Sequence, residues 1–413
     1  EHGPVSAREA LASSLNIPAV VTLERVGVGA MVELASGAGL TTLAENTNLD
    51  LAVTLGGGEV RLLDMAAAYS AFPNGGWRVD PVFILSVRDK DNNSLYEWQP
   101  QTPTLRVMDE RVAYLVTDIL SDDEARIMGF GLNSALNIGR PAAAKTGTTT
   151  DYRDNWIVGY TPNLVTGVWV GNADNTPMVE VSGISGAAPI WNAFMRQVLL
   201  GQPEVAFAEP NGMTRVEVCA PSGLLPTNDC PLRHVERFIQ GTQPTDYDTI
   251  WQAFEIDRNT GLLADETTPP EQIVRRVYEV LPQEARDWGI RNNIQPPPPQ
   301  AVVQLSGSDD TLRLLEPDPY TVFELSPLLP PESQRLRLTA GVPLNVESVT
   351  YTLDGEVIGT VNEAPWALWW ELSLGDHELS AQAALTDGTT QDSAIIAFRV
   401  VRDDEPQSFT EGG

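Results

Sequence analysis

Apolar positions recur at helical spacing through most of the first 120 residues, and the period shortens to two beyond them. Ser6-Ala7-Arg8-Glu9 has the form of a capping box, so a short helix is predicted from Ser6 to about Ser13. Pro18 suits the first turn of a second helix, Ala19 to about Leu34, closed by Gly37 and Gly39. Between the two lies the loop Ser13-Ser14-Leu15-Asn16-Ile17. A third helix is predicted from about Val60 to Phe72, with Leu62, Leu63, Met65, Ala66 and Tyr69 on its apolar side and Pro73-Asn74-Gly75-Gly76 as its stop. Strand-like segments continue to about Arg106. A fourth helix, Glu110 to Leu120, carries Val112, Leu115, Val116, Ile119 and Leu120 at helical spacing.

The pattern then changes. Ala142–Gly147, Asn155–Thr161 and Leu164–Gly171 are strand-length runs, the last two joined through Pro162-Asn163. Pro189 opens a helix to about Leu200. Helices, consecutive strands and a closing helix predict an α+β domain on a mainly antiparallel sheet, residues 1–205. Residues 206–300 read as a Pro-rich connecting region, with one amphipathic helix at Glu271–Glu284 and a polyproline stretch at Pro296–Pro299. Alternation returns in Arg335–Thr339, Ser348–Leu353, Val357–Val361, Ala367–Leu372, Glu378–Leu385 and Ala394–Val400. Asp354-Gly355 and Asp387-Gly388 mark hairpins, and residues 301–405 are expected to form an immunoglobulin-like β-sandwich.

Composition narrows the function. The net charge of −30 argues against nucleic acid or anionic lipid as partners, and about two-thirds of the excess falls after residue 205. No apolar run reaches the eighteen or so residues needed to span a bilayer. The chain opens at Glu1-His2-Gly3-Pro4 without Met or signal peptide and enters a helical pattern at once, so it is expected to be a fragment. Only two of the 26 basic residues are Lys, Lys90 and Lys145. Where Arg is the habitual cation, Lys145 needs a reason to be Lys, and an ammonium that can be desolvated and deprotonated supplies one. Cys219 and Cys230 share a Pro- and Gly-rich loop. A disulfide is the leading expectation, with free thiols or a metal site through His234 as alternatives, the last short of ligands.

Two motifs carry chemistry. Lys145-Thr146-Gly147-Thr148-Thr149 sits on an apolar strand, and Ser14-Leu15-Asn16 on a loop between helices about 130 residues earlier. With a Ser-x-x-Lys serine, such a loop and such a strand are the signature of β-lactamases and penicillin-binding proteins. The flanking text resembles class A penicillin-binding proteins over residues 1 to about 200. It includes Leu11 to Val20, Leu55-Gly56-Gly57-Gly58-Glu59-Val60, Leu63-Asp64-Met65-Ala66, Asp154-Asn155-Trp156 and Val158-Gly159-Tyr160-Thr161-Pro162. The Cys219 to Leu224 stretch resembles the segment after that domain in the same family, and the sandwich resembles the carboxy-terminal module of the 1C type.

The resemblance implies a peptidoglycan D,D-transpeptidase that works through a serine acyl-enzyme, without metal or cofactor. Ser14 would relay a proton, Asn16 would hold the basic lysine and the substrate amide, and Lys145 would supply positive potential. Thr146, Gly147, Thr148 and Thr149 would bind the substrate, with the Thr146 and Thr148 hydroxyls on its terminal carboxylate and the Thr148 N–H in the oxyanion hole. Gly147 would let the substrate pair as an added strand. Asp154, Trp156 and Tyr160 read as scaffold. Trp366, Trp369 and Trp370 read as core, with a sugar platform as the alternative.

Other schemes fit poorly. His2, His234 and His377 are the three histidines, none beside a motif-like Ser, and Gly56-Gly57-Gly58 lacks the Lys-Ser/Thr of a phosphate loop. There is also no Ser-x-x-Lys: position 87 is Val and position 142 is Ala. The family places that nucleophile before the Ser14 loop, hence upstream of residue 1, with a membrane anchor and a glycosyltransferase domain. The expected partners are stem peptides ending in D-Ala-D-Ala, β-lactams, and cell-wall synthesis proteins through the sandwich. The expected location is the extracytoplasmic face of the membrane. Two readings compete: a D,D-carboxypeptidase or β-lactamase of the same fold, and a non-catalytic peptidoglycan-binding fragment.

Overall fold

The computed structural model describes residues 2–46, 48–100, 103–149, 152–179, 182–298, 311–325, 330, 334–343 and 345–402. The chain divides into two units, Val5–Val218 with His234–Thr245, and Glu1–Pro4 with Cys219–Arg233 and Asp246–Gly413.

The first unit begins with α1 (Ala7–Ala12), whose capping box is complete: the Ser6 hydroxyl accepts from the Glu9 N–H and the Glu9 carboxylate accepts from the Ser6 N–H. The helix expected over Ala19–Leu34 is two helices, α2 (Asn16–Val26) and α3 (Val28–Ala38). They break at Gly27, whose φ of 86° no helix interior accommodates, so an apolar period unbroken in sequence is cut by one backbone angle. α4 (Thr41–Glu45) and α5 (Leu62–Tyr69) come next, with Ala38, Leu40, Leu43 and Ala68 as their shared core. A small hairpin, β1 (Ser86–Arg88) with β2 (Ser94–Glu97), leads to α6 (Glu110–Leu120) and α7 (Ile127–Phe130).

β3 (Ala143–Thr148), β4 (Asp154–Thr161) and β5 (Leu164–Gly171) form an antiparallel sheet in that order. α8 (Ala187–Val198) lies on it, with Ala187, Ala188, Trp191 and Met195 fully buried against Ile157 and Ala144. Gly159 is needed beneath α8, since a Cβ there would come within 2.3 Å of the Trp191 ring. On the other face α6 covers β3, and the Thr117 hydroxyl meets the Tyr160 hydroxyl at 2.9 Å. β6 (Met213–Cys219) and β7 (Arg233–Ile239) pair as a separate ribbon.

In the second unit, Cys219 and Cys230 are joined by a disulfide, with Cα atoms 6.0 Å apart, which closes the thiol and metal alternatives. The helix expected at Glu271–Glu284 is instead β9 (Ile273–Glu279), paired in register along its whole length with β8 (Trp251–Asp257). Ile273, Val274, Val277 and Tyr278 favour a pleated strand, and a cross-strand partner decides what periodicity alone left open. The helix begins only after Pro282, as α9 (Gln283–Arg291). A β-sandwich completes the unit. One sheet has the order β10 (Arg313–Glu316), β12 (Arg335–Gly341), β15 (Ala367–Glu371). The other has the order β11 (Val322–Leu325), β18 (Ile396–Arg402), β16 (Gly375–Leu385), β13 (Val346–Leu353), β14 (Glu356–Val361), with β17 (Thr390–Asp392) on β16. Its core gathers Leu338, Val349, Tyr351, Leu379, Ala383 and Phe398. Asp354 and Gly355 take φ of 52° and 83°, the two left-handed residues of a tight hairpin turn between β13 and β14. Trp366 and Trp370 pack on the core, whereas Trp369 is 63% exposed. The boundary expected at 300–301 lies outside the described residues.

Candidate functional site

The site starts at the end of α1. The Ser14 N–H donates to Leu11 O at 3.2 Å and the Leu15 N–H to Ala10 O at 2.9 Å, the paired bonds of a Schellman motif. That motif requires a left-handed residue just past the helix. Glycine is usual there, but this chain has Ser14, with φ of 60°. A serine in that region costs about 1–2 kcal/mol relative to its relaxed state. The turn is pinned from outside, because the Ser13 hydroxyl donates to Ala125 O at 3.0 Å. Gly129 also packs so closely on the Ser13 backbone that a Cβ would fall 2.4 Å from Ser13 O.

α1 has only six residues and needs anchoring. Arg8 provides it, reaching Asp118 at 2.7 Å and Asp122 at 3.1 Å near the end of α6, and Glu236 of β7 at 2.5 Å. Burial works to lower its pKa, but the bonds to Glu236 and Asp118 prevail and raise it, so the guanidinium is firmly charged.

β3 brings the second motif to the same place. Lys145 Nζ donates to Ser14 Oγ at 2.5 Å and to Thr146 O at 2.7 Å. Burial pushes the ammonium down to about 8, within reach of neutral solution. The 131-residue separation is therefore closed by one hydrogen bond. Asn16 is the first residue of α2 and is exposed; among the described residues no hydrogen bond joins it to Ser14 or Lys145. Beyond Lys145, Thr146 is buried and Thr148 exposed, and β3 pairs only with β4 among the described strands. A Cβ at Gly147 would meet only the Trp156 side chain, at 3.4 Å, so interior packing does not by itself demand glycine.

Thr149, expected among the substrate-binding positions, is taken up within the chain. Its hydroxyl donates to Asp154 Oδ2 at 3.0 Å and accepts from the Asp154 N–H at 2.9 Å. Trp169 Nε1 donates to the other carboxylate oxygen of Asp154 at 2.8 Å, so Asp154 ties the end of β3 to β5. Gly56, with φ of 105°, packs on Thr149, where a Cβ would lie 2.7 Å from Thr149 Cγ2. Sequence reasoning missed Gly183. Its N–H donates to Thr148 Oγ1 at 2.9 Å. The run Ser182-Gly183-Ile184-Ser185-Gly186 before Pro189 was the available signal: small residues ahead of a helix start mark close backbone approach.

Residues 1–196 match the family described as the penicillin binding protein transpeptidase domain, and residues 209–253 match the penicillin-binding protein 1A C-terminal domain. Penicillin-binding protein 2D of Bacillus subtilis (strain 168) is 33% identical over 246 residues, 58% of this chain and 35% of that protein. Penicillin-binding protein 1C of Escherichia coli (strain K12) is 34% identical over 253 residues, 59% of this chain and 30% of that protein. The chain thus spans about a third of the length of the curated relatives it matches. Among solved structures, penicillin-binding protein 1A from Haemophilus influenzae superposes with a TM-score of 0.52 and 26% identity, over 58% of this chain and 41% of that one.

Proposed function

We propose that residues 1–196, which match the penicillin binding protein transpeptidase domain, place Ser14 and Lys145 in the part of a D,D-transpeptidase site that takes the donor stem peptide. One observation carries this reading: Lys145 Nζ, on the Lys-Thr-Gly strand, donates to Ser14 Oγ at 2.5 Å. An amine with pKa near 8 can give a proton to the Ser14 oxygen and take one back, which suits a relay toward a leaving amine. Thr146 and Thr148 bind the terminal carboxylate of a D-Ala-D-Ala stem peptide or the carboxylate of a β-lactam. Gly147 leaves the strand edge open for the peptide to pair. Asn16 holds the peptide amide at the cleft mouth.

The nucleophile comes from a Ser-x-x-Lys helix, a motif this chain does not contain. The 413-residue chain alone is therefore not acylated. The parent protein carries the missing helix, a membrane anchor and a glycosyltransferase domain, and works on peptidoglycan outside the cytoplasm. Residues 1–205, 206–300 and 301–405 act as transpeptidase domain, connector and carboxy-terminal module, the last binding cell-wall synthesis proteins.

The test is labelling with a fluorescent penicillin. The 413-residue chain stays unlabelled, and a version extended by a Ser-x-x-Lys segment takes up label stoichiometrically and loses most of it on Lys145→Ala. Labelling of the unextended chain at Ser14 or any other serine would overturn the assignment. With the extended protein, stem peptide and an amine acceptor, cross-linked product supports transpeptidation, and hydrolysis alone supports a carboxypeptidase or β-lactamase.

A further inference from the structure

Thr148, exposed at the end of β3, carries a hydroxyl, and a hydroxyl can aim its proton in several directions. Here one direction is chosen for it. The Gly183 N–H donates to Thr148 Oγ1 at 2.9 Å, so one lone pair on that oxygen is occupied and the O–H is left to donate elsewhere. We infer that Gly183 is a positioning residue that sets the Thr148 hydroxyl as a donor for a carboxylate, and thereby selects ligands ending in a free carboxylate over neutral ones. The inference rests on the proposed carboxylate-binding role of Thr148.

The geometry around Gly183 leaves no room for another residue. A Cβ there would lie 2.7 Å from Gly147 O and 3.0 Å from Trp156 O, both backbone atoms of the paired strands β3 and β4, and 3.3 Å from Thr146 Cβ. Its φ is not in the left-handed region, so the demand for glycine comes from close approach and not from backbone conformation. The loop is held in place from behind. Ser182 N–H donates to Ser185 Oγ at 3.0 Å, Gly186 N–H to Ser182 O at 2.8 Å and Ala188 N–H to Gly183 O at 2.9 Å. The last bond continues directly into α8, whose Ala187, Ala188, Trp191 and Met195 are completely buried on the sheet. A rigid helix thus fixes a loop, the loop fixes one amide, and that amide fixes one hydroxyl.

The experiment titrates the 413-residue chain by NMR with an N-acylated D-Ala-D-Ala dipeptide bearing a free carboxylate, and with its C-terminal carboxamide. The readout is the ratio of the two Kd values. Global weakening moves both ligands together and leaves the ratio alone. The unaltered chain favours the carboxylate by about tenfold, the size of one charge-assisted hydrogen bond. Thr148→Ser keeps that preference and Thr148→Val loses it. Gly183→Ala, which displaces the loop, brings the ratio close to one with little change for the carboxamide. Ser185→Ala loosens the same loop without a new clash and lowers the ratio part of the way, which keeps the test available if Gly183→Ala does not fold. If Thr148→Val removes the preference while Gly183→Ala and Ser185→Ala both retain it, the role of Gly183 is wrong and the carboxylate reading stands. No preference in the unaltered chain, or a preference that Thr148→Val leaves undiminished, overturns both.

Discussion

At the scale of single residues, Ser14 shows a conflict between stability and chemistry. The Schellman position asks for glycine, and serine occupies it where its hydroxyl meets Lys145. Ser14→Gly relieves the left-handed strain and loses the hydroxyl; Ser14→Ala keeps the strain and loses the hydroxyl as well. Denaturant unfolding should therefore place Ser14→Gly about 1 kcal/mol above Ser14→Ala, with neither competent in the cleft. Lys145 gives a second test. Its folded pKa, about 8, lies below the ordinary lysine value of 10.5, so the folded state binds fewer protons than the unfolded state between those two pH values. Burying the ammonium costs stability fully below pH 8, and that cost fades as pH rises from about 8 towards 10.5. Lys145→Met should accordingly stabilise the fold more at pH 7 than at pH 10. Because Lys90 is the only other lysine and is exposed, side-chain NMR resolves the Lys145 titration without ambiguity, with its ammonium expected near 8. A Lys145 ammonium that titrates at the ordinary lysine value of 10.5 would remove the proton relay. The sequence made both residues visible through motif and composition. It could not show Gly183 or the internal use of the Thr149 hydroxyl, because both depend on which backbone atoms come within 3 Å after folding.

Among the elements, α1 is too short to be stable alone and depends on Arg8. Removing that guanidinium leaves Asp118, Asp122 and Glu236 facing one another, with Arg237 as the remaining cation on Asp118. Arg8→Ala should cost about 2–4 kcal/mol in unfolding free energy. It should also weaken ligand binding more than an equally destabilising change in the sandwich, since α1 carries Ser14. Capping boxes, strong periodicity and hairpin dipeptides were readable locally: α1, α6, β4, β5 and the Asp354-Gly355 turn fall where local signals put them. What was not readable is decided by distant partners. β9 takes its conformation from β8, and the break at Gly27 has no punctuation beyond Gly27 itself and Gly29.

For the whole molecule, the disulfide closes an 11-residue loop in a segment rich in Pro and Gly. Reduction should lower the stability of that unit by about 2–3 kcal/mol, measured as a shift in its urea midpoint. The sandwich does not stand apart from the sequence before it. Gln283 Nε2 donates to Thr311 O at 2.9 Å, Arg313 reaches both Gln283 and Glu284, and Arg286 donates to Val342 O at 2.8 Å. Limited proteolysis should thus yield a resistant fragment that retains α9 with the sandwich, and mass spectrometry of the cut sites checks this. A fragment that starts beyond residue 300 and keeps its cooperative unfolding would restore the boundary expected from the polyproline stretch.

The outer side of β3 has a cost of its own. A strand with one unpaired edge is a template for any other extended chain, including a second copy of itself. Every other amide along Lys145 to Thr148 points away from β4, the one described strand with which β3 pairs. In deuterated solvent those protons should be lost quickly while their neighbours, bonded to β4, persist. A ligand that adds itself as a strand should slow only the outward set. The same alternating protection, appearing with rising protein concentration and no ligand, would mark the edge finding its own kind.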